Sequence, residues 1–188
     1  MQSDFFDRND EKIVQDLMNQ TVAASKSAPN RPFDTVELIS MAHSNVFLAK
    51  VSFGLDQVFN LLVDTGSSWN WVNSCHSESP GECPDYFYDL EMSSSVECGT
   101  ETKHIKYGIG EIEGPICTDY IGLYGMDESL SVQMPFIARS VNPYAEQPFF
   151  DGILGLAPND ESSGPLLIEY IYGSKSINNK VFAVLNSD

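Results

Sequence analysis

Basic side chains are scarce in this chain. Lysine and arginine total 10 against 27 aspartates and glutamates, a formal net charge of −17 over 188 residues. That balance argues against nucleic acid or an anionic membrane as partner, since both carry the same sign. It suits a protein that works in acid, where protonation of surface carboxylates relieves self-repulsion, although acidic surfaces also simply keep proteins soluble. Long apolar runs are missing too. No stretch approaches the ~20 residues that cross a bilayer, so no membrane segment is expected in this chain. The opening MQSDFFDRND has neither a basic n-region nor an apolar h-region. No Cys-x-x-Cys pair occurs, and the cysteine spacings around His76 and His104 fit no common zinc motif. Neither a metal nor another cofactor is expected. There is no internal repeat and no low-complexity tract.

What remains is enough for a packed domain. Hydrophobic residues make up 42% and aromatics 11%, so most of the chain folds rather than staying disordered. The four cysteines are Cys75, Cys83, Cys98 and Cys117. The first two bracket a polar loop, and the even count with local spacing favours two bridges, Cys75–Cys83 and Cys98–Cys117, in an oxidising compartment. Four free thiols in a reducing compartment are the alternative.

Two regions differ in texture. In residues 1–34, Ile13, Val14, Leu17, Met18 and Val22 fall on one face at helical spacing, with Asn9 or Asp10 as cap. A polar, Pro-containing linker follows, so this reads as a helical extension outside the main domain. It carries the one good glycosylation sequon, at Asn19. From residue 35 to 188 the pattern is one of short strands. Two runs at 46–53 and 58–63 flank Gly54 and Asp56 and read as a hairpin. Further strands are expected at 104–109, 111–123, 130–137, 150–156 and 180–186, with one helix at 164–173 having Pro165 in its first turn. Many short strands and few helices predict a mainly β domain.

The chemistry concentrates in Phe59-Asn-Leu-Leu-Val-Asp64-Thr-Gly-Ser-Ser-Trp-Asn-Trp-Val72. An apolar strand delivers a carboxylate into a glycine turn, which holds it rigidly, and Thr65 and Ser67 can stabilise its ionised form. Asp-Thr-Gly alone is also an ordinary turn sequence. Two further segments follow in order: Lys106-Tyr107-Gly-Ile-Gly-Glu-Ile-Glu-Gly114 and Phe150-Asp-Gly-Ile-Leu-Gly-Leu-Ala157.

These three motifs, in this order, resemble the amino-terminal lobe of the pepsin family of aspartic proteases, over roughly residues 42–186. The resemblance implies a pepsin-like acid protease fold, a single amino-terminal lobe preceded by the helical extension. It implies a polypeptide substrate and a secreted or lysosomal/vacuolar compartment. Asp64 becomes one of two aspartates that activate water for peptide-bond hydrolysis. Thr65 would brace the active-site loops across the lobe interface, beside Gly66. Ser67 would hydrogen-bond the outer oxygen of Asp64. Tyr107 would close over the substrate with its hydroxyl on the indole N–H of Trp71. Gly108, Ile109, Gly110 and Glu111 would form the flap that binds the peptide. Glu111 stands where the family often has a small hydroxyl residue, and a carboxylate there would favour basic substrate side chains over acidic ones.

No second Asp-Thr-Gly or Asp-Ser-Gly occurs in these residues: Asp34-Thr35 leads to Val36, and Asp119, Asp127 and Asp151 lack the pattern. The chain is therefore expected to be one lobe, inactive alone, needing a carboxy-terminal lobe to complete the pair. Two alternatives are a peptide-binding homologue without turnover and a homodimer using two copies of Asp64. If residues 1–34 are propeptide-like, their cations are few: Arg8, Lys12, Lys26 and Arg31.

Overall fold

Period-two burial runs through the strands, and it sorts their side chains onto two faces of one sheet. The computed structural model describes residues 36–40, 46–54, 56–75, 86–107, 110–126, 130–140, 149–158 and 164–184. The helix expected in residues 1–34, Cys83, Gly108 and Ile109 lie outside them. Val36–Asn178 is one compact unit.

The strands are β1 (Ile39–Ser40), β2 (Phe47–Phe53), β3 (Gln57–Asp64), β4 (Trp71–Ser74), β5 (Glu97–Tyr107), β6 (Gly110–Leu123), β7 (Val132–Ser140) and β8 (Gly152–Gly155). They form one sheet in the order β1-β2-β3-β8-β4-β7-β6-β5. A further pairing of Val51–Phe53 with Ile121–Leu123 joins β2 to β6, so six of the strands close into a ring. The domain is mainly β, as the motifs imply.

Inside the ring sits the larger core. Ala49, Val51 and Phe53 of β2 meet Phe59, Leu61, Val72, Met134, Phe136 and Leu154 there. The alternate residues point outward and build a second cluster of Leu48, Trp71, Ile112, Ile137, Phe150 and Ile153, with Trp69, Ile105 and Tyr107 packed against it. One pleat thus feeds two cores, which is why β8 reads as a continuous apolar run rather than an alternating one.

β8 decides the position of the site. It lies parallel to β3, with Asp64 opposite Gly155, and antiparallel to β4, with Trp71 opposite Ile153. Both glycines of β8 are required by close approach: a Cβ on Gly152 would come 2.0 Å from the Trp71 carbonyl oxygen, and one on Gly155 would come 2.9 Å from that of Ser67.

The helix begins later than its sequence predicts. α1 spans Leu167–Gly173, with Leu166 extended at its amino end. Gly164 precedes a proline and so avoids helical backbone, and the Pro165 carbonyl is taken by Asn70 Nδ2 at 2.9 Å. Leu167 and Ile171, one turn apart, are buried in the larger core. The carboxyl end is closed by Lys175 at φ 63° rather than by glycine. The strand expected at 180–186 is not formed over its described residues 180–184.

Candidate active site

Asp64 is the last residue of β3, where the chain leaves the sheet for the turn at Thr65 and Gly66. The Gly66 N–H donates to Asp64 Oδ1 at 2.9 Å. β8 holds the turn from below: Leu156 N–H donates to the Asp64 carbonyl at 2.8 Å, and Ala157 N–H to that of Ser67 at 2.9 Å. Ser68 Oγ accepts from Gly164 N–H at 3.0 Å. Thr65 is exposed at the turn.

The β5–β6 hairpin stands beside this turn. Tyr107 pairs with Gly110 and Lys106 with Glu111. Gly110 has φ 152°, a backbone that favours glycine. Trp71 Nε1 donates to the Tyr107 hydroxyl at 3.1 Å. Burial pushes the Tyr107 phenol above its ordinary value. The Trp71 N–H and Ser67 act against that shift, and the nearby Asp64 charge adds to it. Asp64, Ser67, Trp71 and Tyr107 therefore come together at one place.

Ser67 departs from what the resemblance implies. Its Oγ is buried and meets no hydrogen-bond partner among the described residues. The bond to Asp64 is not formed; Ser67 Oγ lies beside the Tyr107 hydroxyl instead.

The eukaryotic aspartyl protease family model matches residues 46–188. The chain belongs to that family. It is 33% identical over 157 residues to plasmepsin IV of Plasmodium falciparum, covering 79% of this chain and 34% of that protein. It is 34% identical over 114 residues to pepsin A of Suncus murinus, covering 57% and 28%. Against pregnancy-associated glycoprotein 1 of Bos taurus the identity is 29% over 142 residues, covering 73% and 36%. The chain thus spans about a third of the length of these relatives.

Several features of this aspartyl protease chain were not singled out in its sequence. Asn70 is buried between the two tryptophans. Its Oδ1 accepts from Gly155 N–H at 3.0 Å, its Nδ2 donates to Pro165, and its carbonyl accepts from Ile137 N–H at 3.0 Å. Lys103 Nζ lies 5.1 Å from the centre of the Trp69 ring, and the Arg139 guanidinium 5.4 Å from that of Trp71. Burial lowers the Arg139 pKa from its ordinary value, yet a guanidinium stays cationic at any working pH. Glu111 is not a free carboxylate: its Oε2 lies 3.2 Å from His104 Nε2 and 4.0 Å from Lys106 Nζ. Away from the site, fully buried Asp119 accepts from the hydroxyls of Tyr88, Ser93 and Ser95 and from Tyr120 N–H.

Cys98 and Cys117 form a disulfide across the β5–β6 ladder. Cys75 is also disulfide-bonded. Among the described residues, no helix is long and apolar enough to cross a membrane.

Proposed function

We propose that this chain is the amino-terminal lobe of an aspartic-type endopeptidase and that Asp64 is one of its two catalytic aspartates. The observation that carries the reading is a carboxylate fixed by a glycine-turn N–H beside a tyrosine-bearing hairpin, in a chain of this family. A carboxy-terminal lobe outside these 188 residues supplies the second aspartate.

Two carboxylates sharing one site cannot both ionise cheaply, so one stays protonated while the other is charged. The charged member takes a proton from a water molecule as that water attacks the peptide carbonyl. The protonated member donates to the carbonyl oxygen as negative charge grows there. Gly66 N–H keeps Asp64 oriented, and Tyr107, tied to Trp71, covers the extended peptide from the hairpin side. Thr65 braces the active-site loops across the lobe interface, and residues 108–111 contact the substrate backbone. The compartment is secretory or lysosomal/vacuolar; the disulfide at Cys98 and Cys117 supports an oxidising lumen.

The test is hydrolysis of an acid-unfolded protein substrate by the two-lobed protein. Asp64→Asn is expected to lower kcat by roughly 10²–10⁴-fold without unfolding the protein, and the 188-residue chain alone is expected to be inactive. Full activity in Asp64→Asn would overturn the assignment.

A further inference from the structure

Strand register puts Trp71, Asn73, Ile137 and Arg139 on one face of the sheet. β4 lies parallel to β7, with Trp71 opposite Ile137 and Asn73 opposite Arg139. Paired residues share a face, and so do alternate residues along a strand. Arg139 is therefore directly across from Asn73 and diagonal to Trp71. The contacts follow that placement. Arg139 Nη1 donates to Asn73 Oδ1 at 2.7 Å, and the guanidinium lies over the Trp71 ring, 5.4 Å from its centre. That is inside the reach of about 6 Å over which an aromatic face attracts a cation. Trp71 is buried in the cluster that holds Ile137, Ile153 and Phe150, and its Nε1 donates to the Tyr107 hydroxyl at 3.1 Å. An unbroken line of contacts thus runs from Asn73 through Arg139 and Trp71 to Tyr107.

A half-buried guanidinium loses hydration, and burial here lowers its pKa. In a chain with 27 aspartates and glutamates a carboxylate would be the obvious partner, yet among the described residues Arg139 forms no ion pair. A neutral amide and an indole face stand there instead. Packing alone does not call for this arrangement, since an aliphatic side chain would cover the same ring without losing hydration. What the cation adds is electrostatic. Placed over the π face, it draws electron density from the ring and leaves the indole N–H more positive, a better donor to the Tyr107 oxygen. The guanidinium, the amide and the indole do not titrate in acid, so the hold is the same at neutral and at acid pH.

We propose that Arg139 is a positioning residue for the hairpin tyrosine: its charge over Trp71 strengthens the indole hydrogen bond that holds Tyr107 above the substrate. It acts through Trp71 rather than on the peptide. The kinetic consequence rests on the reading of Tyr107 as the residue that covers the peptide, whereas the effect on the indole bond does not. A weaker bond lets the Tyr107 ring leave its place. Fewer bound peptides then sit aligned against Asp64, so the loss falls on kcat more than on KM.

Two readouts test this. The first is the NMR signal of the Trp71 indole N–H in the 188-residue chain, which needs no catalysis. Arg139→Met keeps an aliphatic stem on the ring and removes the charge. The signal is expected to move upfield and exchange faster with solvent, with the Trp69 indole signal in place to report the fold. Arg139→Gln carries the same expectation and serves if the Met variant fails to fold. Arg139→Lys keeps a charge and is expected to recover most of the shift. The second readout is a double-mutant cycle on peptide hydrolysis by the two-lobed protein. Arg139→Met is expected to lower kcat about fivefold, the scale of one weakened hydrogen bond, and to change little in a Tyr107→Phe background, which has no hydroxyl to hold. An unmoved indole signal in the neutral variants, or Arg139→Lys behaving as they do, overturns the role of the charge. An equal kcat loss with and without the Tyr107 hydroxyl overturns the positioning role. A moved signal with no hydrolysis by the unaltered two-lobed protein supports the hold of Arg139 on the indole bond and removes the protease reading instead.

Discussion

Asn70 joins the active-site loop to β8 and the approach to α1 through its buried side-chain amide, and to β7 through its backbone carbonyl. Asn70→Leu would leave the Gly155 N–H and the Pro165 carbonyl without partners, at about 1–3 kcal/mol for each buried group. A loss of about 3 kcal/mol is expected in urea unfolding, with the midpoint falling and the slope unchanged. Asp64, Trp71 and Tyr107 were legible in the sequence because each lies in a motif whose spacing is local. Asn70 was not, since its partners lie 85 and 95 positions away and nothing in Trp-Asn-Trp signals them. The contacts of Lys103 with Trp69 and of Arg139 with Trp71 are hidden for the same reason, since each joins residues distant in sequence. Asp151 offers a second test at this scale. Burial raises its carboxyl above the ordinary 3.8, and the Asn60 N–H acts against that shift. A raised acid favours the folded state when protonated. Its contribution is complete below its unfolded value and is lost as pH rises through its folded one. Asp151→Asn should therefore flatten the fall in stability as pH rises above the ordinary aspartate value, read from unfolding midpoints.

The hairpin of β5 and β6 is a long element with many exposed polar residues. Its register shifts between Cys98 and Thr102, next to the disulfide. That bridge closes a 19-residue separation, and replacing both cysteines by alanine is expected to cost about 3 kcal/mol, measured by urea unfolding without reductant. β8 makes the opposite demand, since it tolerates nothing beyond hydrogen at Gly155. Gly155→Ala would press a methyl group onto the backbone of Ser67, Ser68 and Trp69. It is expected to lower the melting temperature and broaden the Gly66 amide signal, because the turn carrying Asp64 must move. The existence of most elements could be read from alternation and turn residues, but their ends could not. β5 starts at Glu97, well before the expected 104, because Glu97 and Cys98 pair with Thr118 and Cys117. That stretch, Glu-Cys-Gly-Thr-Glu-Thr, is almost wholly polar, so pairing with β6 rather than propensity makes it a strand.

Over the whole chain, a net charge of −17 opposes compaction at neutral pH. Raising salt from 0.01 to 0.1 M shortens the screening length from about 30 to about 10 Å. The melting temperature should rise with salt at pH 7 and change little at pH 4, where many carboxylates are protonated; an equal response at both would argue against charge repulsion as the cause. The insertion of β8 between β3 and β4 has a further consequence during synthesis. Asn60 N–H bonds to Asp151 Oδ2 across 91 positions, and the turn bearing Asp64 leans on the residues that follow. As the nascent polypeptide leaves the ribosome, that turn has no floor until β8 has emerged. The Asp64 carboxylate is thus set in place only after residues 152–157 have emerged and closed their backbone bonds onto its turn.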